Sequence, residues 1–255
     1  MAICSGHTLA KYDNRPIMIK VATKALRLDN AILCRALPFA LFMAFIAIDE
    51  SIRLAAQHHW LTLPDIAPYY LYPIKAVSVV ALLYRYRGEY RELHLKDLLN
   101  GGTSAAVFVA GMATFLLWIS MDWTLSVTGG PKGFDPTLLP EGAIRILMTA
   151  SRVAGAVLVV PLMEELFWRS FLLRYVINAD FESVQIGRFT WTSFLVTTVL
   201  FGLEHHFFLA GMVAGAIYNI ILYQTRSLAQ CVLAHAVTNL ALAGYVLYTG
   251  KWYFW

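Results

Sequence analysis

The stretch Met163-Glu164-Glu165-Leu166-Phe167-Trp168-Arg169 places two adjacent carboxylates inside an apolar part of the chain. It follows an uncharged run, 153–163, and is followed by more apolar residues, 171–173. If this run is a membrane helix, two carboxylates within it are costly and must be compensated by partners. The rest of the chain must therefore provide a polar environment for this stretch.

Helical geometry separates the two carboxylates. Glu165 and Arg169 are four residues apart and can pair on one face, while Glu164 is rotated by about 100° from Glu165. This arrangement would neutralise Glu165 and leave Glu164 free to act as a base. The alternative is a structural ion pair with one additional acid, which is the commoner meaning of this pattern on a soluble helix.

The composition is that of a membrane protein. Of 255 residues, 59% are hydrophobic and 14% are charged, whereas soluble domains carry about a quarter charged residues. We expect a basic cytoplasmic tail, residues 1–30, and one membrane-embedded domain, residues 31–255, with a motif-bearing core at 141–248. The net charge of +4 lacks a basic stripe with interleaved aromatics, so nucleic acid is not an expected partner.

Seven apolar runs predict an all-α, polytopic bundle of about seven transmembrane helices around a central polar cavity. The runs are Ala31–Ile48, Tyr69–Tyr84, Ser104–Met121, Glu141–Arg174, Phe189–His205, Phe207–Gln224 and Leu228–Tyr248. The segment Arg85–Leu99 is expected to form an amphipathic surface helix, and the long fourth helix is expected to bend at Pro161. If either the surface helix or the fourth helix is divided in two, the chain has eight transmembrane helices. Gly211 and Gly215 form a GxxxG pattern that predicts close helix packing.

Basic residues predict the orientation. They concentrate in the tail, in 85–96, in 174–188 and at Arg226, so the N-terminus should be cytoplasmic and the C-terminus outside. We expect an integral multi-pass protein of a plasma or inner membrane, with the bilayer as a partner. The cysteines, Cys4, Cys34 and Cys231, lack the spacing of a disulfide framework or a zinc site.

Polar residues of three different runs have similar predicted depths. Counted from the basic ends at about 1.5 Å per residue, Glu164 lies roughly 15 Å deep, His205 25 Å, His235 13 Å and Asn239 20 Å. His235 and Asn239 are four apart and share one helix face. These side chains could converge near the middle of the bilayer, although three helices could equally point them apart.

The polar residues resemble the motifs of a known family. In order, the chain contains Glu164-Glu165-x-x-x-Arg169, Phe201-Gly-Leu-Glu-His205 and His235-Ala-Val-Thr-Asn239. These are similar to the EExxxR, FxxxH and HxxxN/D motifs of the CAAX-protease and bacteriocin-processing (CPBP) family, intramembrane endopeptidases similar to the Ras-converting CAAX protease. The region 69–99 looks like that of the exosortase-associated CAAX-type subgroup.

The resemblance implies a role for each motif residue. Glu164 would activate a water for attack on the scissile carbonyl, and His205 would orient that water or carry protons. His235 and Asn239 would stabilise the oxyanion. The remaining motif residues would be structural: Glu165 and Arg169.

A metal-dependent version of the site stays open. Glu164, His205 and His235 could together hold zinc. A helical HExxH is absent, and Asn239 is a poor zinc ligand, so we favour a mechanism without a cofactor.

The resemblance favours an endopeptidase that hydrolyses a membrane-anchored or lipid-modified protein or peptide. An alternative is a catalytically idle membrane scaffold or immunity protein with the same fold. The motif polar residues argue against it, because an idle protein has no need of buried charges. A transporter would predict repeated halves, which are not evident. The sequence does not select among a prenylated tail, a bacteriocin leader and a sorting-signal protein as the substrate.

Overall fold

The computed structural model describes residues 17–64, 66–121 and 133–255, with side chains in the first helix from Leu28 onward. Its regular structure in these ranges is helical, which confirms the all-α prediction. The basic tail expected at residues 1–30 falls largely outside the described side chains, so it remains a prediction.

Seven long helices form the bundle. They are α1 Ile17–Gln57, α2 Leu71–Arg85, α3 Gly101–Ser120, α4 Ala143–Ile177, α5 Trp191–Leu203, α6 Phe208–Thr225 and α7 Leu228–Thr249. Each predicted apolar run coincides with one of these helices.

Five of the helices are long and apolar enough to cross a membrane: α1 from Leu28, α3, α4, α6 and α7. The other two are shorter, with 15 residues in α2 and 13 in α5. At 1.5 Å per residue α5 is about 20 Å long, which is less than the roughly 30 Å of a hydrocarbon core. The chain is therefore an integral membrane protein with five full-length candidate spans.

The predicted amphipathic helix at Arg85–Leu99 is wrong. This segment contains two short 3-10 turns, Arg87–Glu89 and Leu95–Leu99. Its middle turns inward, because the Tyr90 hydroxyl donates to the carbonyl of Cys34 at 2.9 Å. Because this segment packs against α1 through such contacts, it does not need one continuous apolar face.

The fourth helix is continuous from Ala143 to Ile177 but contains two π-helical stretches, Gly155–Val159 and Leu166–Leu172. Pro161 follows the first stretch and has no N–H to donate to the preceding turn. The helix is therefore locally widened just before this proline, and the expected bend at Pro161 stays a prediction. Such π turns are common at functional sites.

Small residues bring the motif-bearing helices close together. A Cβ at Gly111 of α3 would come within 2.6 Å of the Ala234 carbonyl oxygen of α7. A Cβ at Gly211 of α6 would lie 3.0 Å from the Cα of Gly202 in α5. The close packing predicted from the GxxxG pattern is confirmed, and it fixes α5, α6 and α7 around the middle of α4.

Candidate active site

The ion pair predicted from the four-residue spacing is present and fully buried. Arg169 Nη1 donates to Glu165 Oε1 at 3.2 Å, and the side chains are 1% and 0% exposed. The guanidinium also donates to the carbonyl of Gly215 at 3.1 Å and lies 4.6 Å from the ring centre of Phe201. A buried pair needs such additional hydrogen bonds to offset the loss of hydration.

Asn219 of α6 completes this pair, a role that the sequence did not reveal. Its Oδ1 accepts from Arg169 Nε at 3.2 Å, while its amide donates to Thr197 Oγ1 at 3.0 Å and Thr198 Oγ1 at 3.2 Å. The two threonines belong to α5, so Asn219 links three helices. An amide in an apolar span was the available signal, but it could not identify the partner.

His235 lies between the two carboxylates. Its Nδ1 is 2.9 Å from Glu165 Oε1, and its Nε2 is 4.0 Å from Glu164 Oε2. The ring stacks on Tyr218 with the centroids 4.9 Å apart. Because the Glu165 carboxylate is paired with Arg169, it accepts hydrogen bonds, so we assign the donor proton to Nδ1. Neutral His235 then has its free lone pair at Nε2, toward Glu164.

Glu164 is buried beside this pair but takes no part in it. Its side chain is in the core, with 3% of the residue exposed, and Oε2 has no hydrogen-bond partner among the described residues. Its neighbour Glu165 is bonded through Oε1 to Arg169 and His235, whereas its own Oε2 also lacks a hydrogen bond. Two cavities lie at one end of the bundle, and neither is lined by these residues.

His205 follows the end of α5 and is held by its own helix. Its Nδ1 is 2.7 Å from the Phe201 carbonyl oxygen, and its ring contacts Trp118 edge-on with centroids 5.2 Å apart. Phe201 also contacts His235, at 6.2 Å between the ring centroids. Both histidines therefore contact the Phe201 ring, with centroid distances of 4.8 Å for His205 and 6.2 Å for His235.

Asn239 lies one turn from His235, about 6 Å along α7. Its Nδ2 donates to the Ala156 carbonyl at 2.8 Å, within the first π stretch of α4. Ala156 precedes Glu164 by eight residues, about 12 Å along the helix. One amide hydrogen of Asn239 is therefore committed to α4, and the other is available.

A third carboxylate lies beside this cluster. Trp168, four residues after Glu164, donates from Nε1 to Glu204 Oε2 at 3.0 Å. Glu204 falls within the FxxxH motif at a variable position, so the motif gave no reason to assign it a role.

The zinc hypothesis requires three ligands in one place. Over the described ranges, no group of three His, Cys, Asp or Glu side chains is arranged to hold a metal ion. Zinc held by Glu164, His205 and His235 therefore stays a hypothesis that a chelator can test.

The fold is that of a polytopic helical membrane protein. Residues 146–241 match the family model of the Rce1-like type II CAAX prenyl endopeptidases. This region contains all three motifs, so the match supports the resemblance to the CAAX-protease and bacteriocin-processing family. A role as a CAAX-type intramembrane protease is what this match suggests. Neither the curated proteins nor the solved structures yielded a match. The exosortase-associated subgroup stays a prediction.

Proposed function

We propose that the protein is an endopeptidase in which Glu164 activates a water molecule. The observation that supports this best is the unequal environment of two adjacent buried carboxylates. Glu165 Oε1 is bonded to Arg169 and His235. The Glu164 Oε2 atom has no hydrogen-bond partner among the described residues, and His235 Nε2 lies 4.0 Å from it. A buried carboxylate with a free oxygen is costly to stability, so a chemical role is a reason to retain it.

In the proposed reaction, Glu164 takes a proton from water as the water oxygen attacks the peptide carbonyl carbon. The C–N bond then breaks, and Glu164 returns the proton to the leaving nitrogen, which departs as an amine. The other product is a carboxylic acid, so the step balances as hydrolysis. A positioned acid–base group of this kind contributes about 10²–10⁴-fold to the rate.

The geometry favours His235 as the group that orients the water. The 4.0 Å separation of its Nε2 from Glu164 Oε2 is too long for a direct hydrogen bond and suits one bridging water. Glu165 fixes the ring by accepting from Nδ1. This assignment gives His235 the role that the family resemblance gave to His205, and leaves His205 to carry protons.

Stabilisation of the oxyanion falls to Asn239 in this scheme. Its amide donates to the Ala156 carbonyl at 2.8 Å, and the same nitrogen carries a second hydrogen that could donate to the oxyanion. Water and peptide must enter by a rearrangement of the packed helices, since Glu164 and His235 are 3% and 4% exposed.

The substrate that we propose is a membrane-anchored or prenylated peptide, as the name of the matching family suggests. A lipid-modified chain would partition into the bilayer beside the helices and bring its peptide bond to the depth of Glu164. We further propose that the N-terminus is cytoplasmic in a plasma or inner membrane, on the distribution of basic residues.

Cleavage of a farnesylated peptide and its unmodified counterpart by the purified protein in detergent tests this function. We expect the wild type and the exposed control Glu141→Gln to cleave, and Glu164→Gln to lose activity by about 10²–10⁴-fold. Activity that persists with a chelator supports the metal-free mechanism, and activity lost with a chelator supports zinc. Cleavage by Glu164→Gln at the wild-type rate would contradict Glu164 as the base, and a lack of cleavage by all three proteins would favour the scaffold.

A further inference from the structure

A small cavity of about 100 Å³ lies at the end of the bundle where α1 ends and α2 begins. It is separate from the Glu164 cluster and lies on the side of α4 that precedes the first π stretch. Its charged lining consists of Asp49, Arg53, Lys75 and Arg152, and its aromatic lining includes Tyr72 and Trp255.

The lining contains three cationic side chains and one carboxylate. Asp49 pairs with Arg53, with Oδ1 and Nε 3.3 Å apart. Within the described parts of the chain, Lys75 and Arg152 have no carboxylate within salt-bridge distance. Once the Asp49–Arg53 pair is set aside, the described lining of the cavity keeps two positive charges, those of Lys75 and Arg152.

The two remaining cations share one aromatic ring. The Lys75 ammonium is 4.8 Å and the Arg152 guanidinium 4.6 Å from the ring centre of Tyr72. Lys75 also lies 4.1 Å from the ring centre of Phe42. Aromatic faces attract cations, but they do not remove the repulsion between two like charges held against the same ring.

Arg152 has an unused donor at this position. Its Nε is buried and has no hydrogen-bond partner among the described residues. A buried donor without a partner is rare and costs about 1–3 kcal/mol. Tyr72, whose hydroxyl contacts the Arg152 carbonyl at 3.3 Å, fixes the ring below this guanidinium. An anion in the cavity would satisfy the donor and relieve the repulsion.

We propose that this cavity binds the phosphate group of a phospholipid that carries a net negative charge. Its volume of about 100 Å³ exceeds the roughly 30 Å³ of one water and suits a phosphate group. Tyrosine and tryptophan are typical of the membrane interface, and arginine and lysine side chains form charge-assisted hydrogen bonds to phosphate oxygens. Lys75 and Arg152 would contact the phosphate oxygens.

Distance argues against the carboxylate of a bound substrate as the ligand. Arg152 precedes Glu164 by twelve residues, which is about 18 Å along α4. The carboxylate of a substrate that ends three residues after its scissile bond lies only about 10 Å from that bond. Such a carboxylate would fall short of Arg152 while the scissile bond lay at Glu164.

Binding of three probes to the detergent-purified protein, followed by thermal shift, tests the site without an activity assay. The probes are dioctanoyl phosphatidylglycerol, dioctanoyl phosphatidylcholine and inorganic phosphate. We expect dioctanoyl phosphatidylglycerol to bind the wild type most tightly of the three probes. In the double variant Lys75→Gln/Arg152→Gln, its affinity should fall by about fivefold for each cation removed. Arg87→Gln is the matched control, because Arg87 is exposed and lies 4.0 Å from the ring centre of Tyr84 at the other end of α2.

The variant with Lys75→Arg and Arg152→Lys keeps both charges and should keep the binding, which separates loss of charge from loss of packing. Equal affinity of the glutamine variant and the wild type for phosphatidylglycerol would overturn the proposal. Binding of inorganic phosphate as tightly as the lipid would overturn the lipid as the source of the anion. Equal binding of phosphatidylcholine would overturn the requirement for net negative charge.

Discussion

Two buried charged clusters lie within two turns of each other on α4, and they are built differently. The Glu92 cluster joins Arg35 of α1 and the segment after α2 to α4; its members are Arg35, Glu92, Ser170 and Arg174. The Glu164 cluster joins α4 to α7; its members are Glu164, Glu165, Arg169 and His235. In the first, Arg35 donates to both oxygens of Glu92, at 2.7 and 2.8 Å.

The Glu92 carboxylate is fully engaged. Besides Arg35, it accepts from the hydroxyl of Ser170, and Arg174 is 3.8 Å away. Burial alone would raise the pKa of Glu92, but the hydrogen bond and charge of Arg35 outweigh it and hold that pKa below the ordinary 4.5. In the Glu164 cluster, Glu164 Oε2 and Glu165 Oε2 have no hydrogen-bond partner among the described residues. The comparison contrasts Glu92, whose two oxygens are both bonded, with Glu164, for which we propose a chemical role.

Among changes to the two clusters, we expect Arg169→Met to lower the stability most. The change leaves Glu165 buried without its cation, which typically costs about 3–5 kcal/mol. For a chain of this size the melting temperature should fall by about 10 °C, measured by thermal unfolding in detergent. Arg145→Met is the control, because its pair with Glu141 at 3.6 Å is largely exposed and should be worth at most about 1 kcal/mol. Equal falls in the two variants would contradict a buried, stabilising role for Arg169.

The second change, Asn239→Ala, leaves every charged side chain of the Glu164 cluster in place and tests the chemistry beside it. Asn239→Ala should lower kcat by about 10²–10³-fold while KM stays unchanged, since an oxyanion donor acts in the transition state. The measurement is steady-state cleavage of a peptide that the wild type cleaves. A rise in KM alone, at constant kcat, would show that Asn239 binds the substrate and is not an oxyanion donor.

The smallest effect on catalysis should come from Glu92→Gln. Removal of the carboxylate leaves Arg35 and Arg174 without an anion, so the melting temperature should fall by about 5 °C, whereas kcat of the folded protein should not change. A loss of kcat without a loss of stability would mean that the Glu92 cluster contributes to the reaction.

The same variant has a signature in its pH dependence. Because the folded pKa of Glu92 is below 4.5, its stabilising contribution is complete above pH 4.5 and is lost as the pH falls through the lowered pKa. The wild type should therefore approach the melting temperature of Glu92→Gln as the pH falls below 4.5. Parallel curves for the two proteins over this range would contradict the assignment.

The helices were largely predictable from the sequence because long apolar runs and their charged ends determine where a membrane helix begins and stops. The seventh helix was expected at Leu228–Tyr248 and extends from Leu228 to Thr249. The segment after α2 was not predictable in the same way. Its hydrogen bonds connect Glu92 to Arg35 and Tyr90 to Cys34. These residues are far apart in the sequence, so the local pattern of apolar residues cannot predict that they meet.

The same limit applies to the site. The pairing of Glu165 with Arg169 follows from one helix and was predicted by spacing. The bond between Glu165 and His235 joins α4 to α7, and that of Asn219 to Arg169 joins α6 to α4. Such contacts depend on how each helix is rotated about its own axis. The amino-acid composition and the depth of a residue along its helix do not determine that rotation.

The most direct test of the central claim compares Glu164→Gln with Glu165→Gln, each measured for single-turnover cleavage and for melting temperature. We expect Glu164→Gln to lose about 10²–10⁴-fold in rate and to keep its melting temperature, because Glu164 Oε2 has no partner to lose. We expect Glu165→Gln to melt at a lower temperature, because Arg169 then lacks its anion. A Glu164→Gln variant that cleaves normally, or a Glu165→Gln variant that loses more rate while keeping its stability, would contradict the division of roles between the two carboxylates.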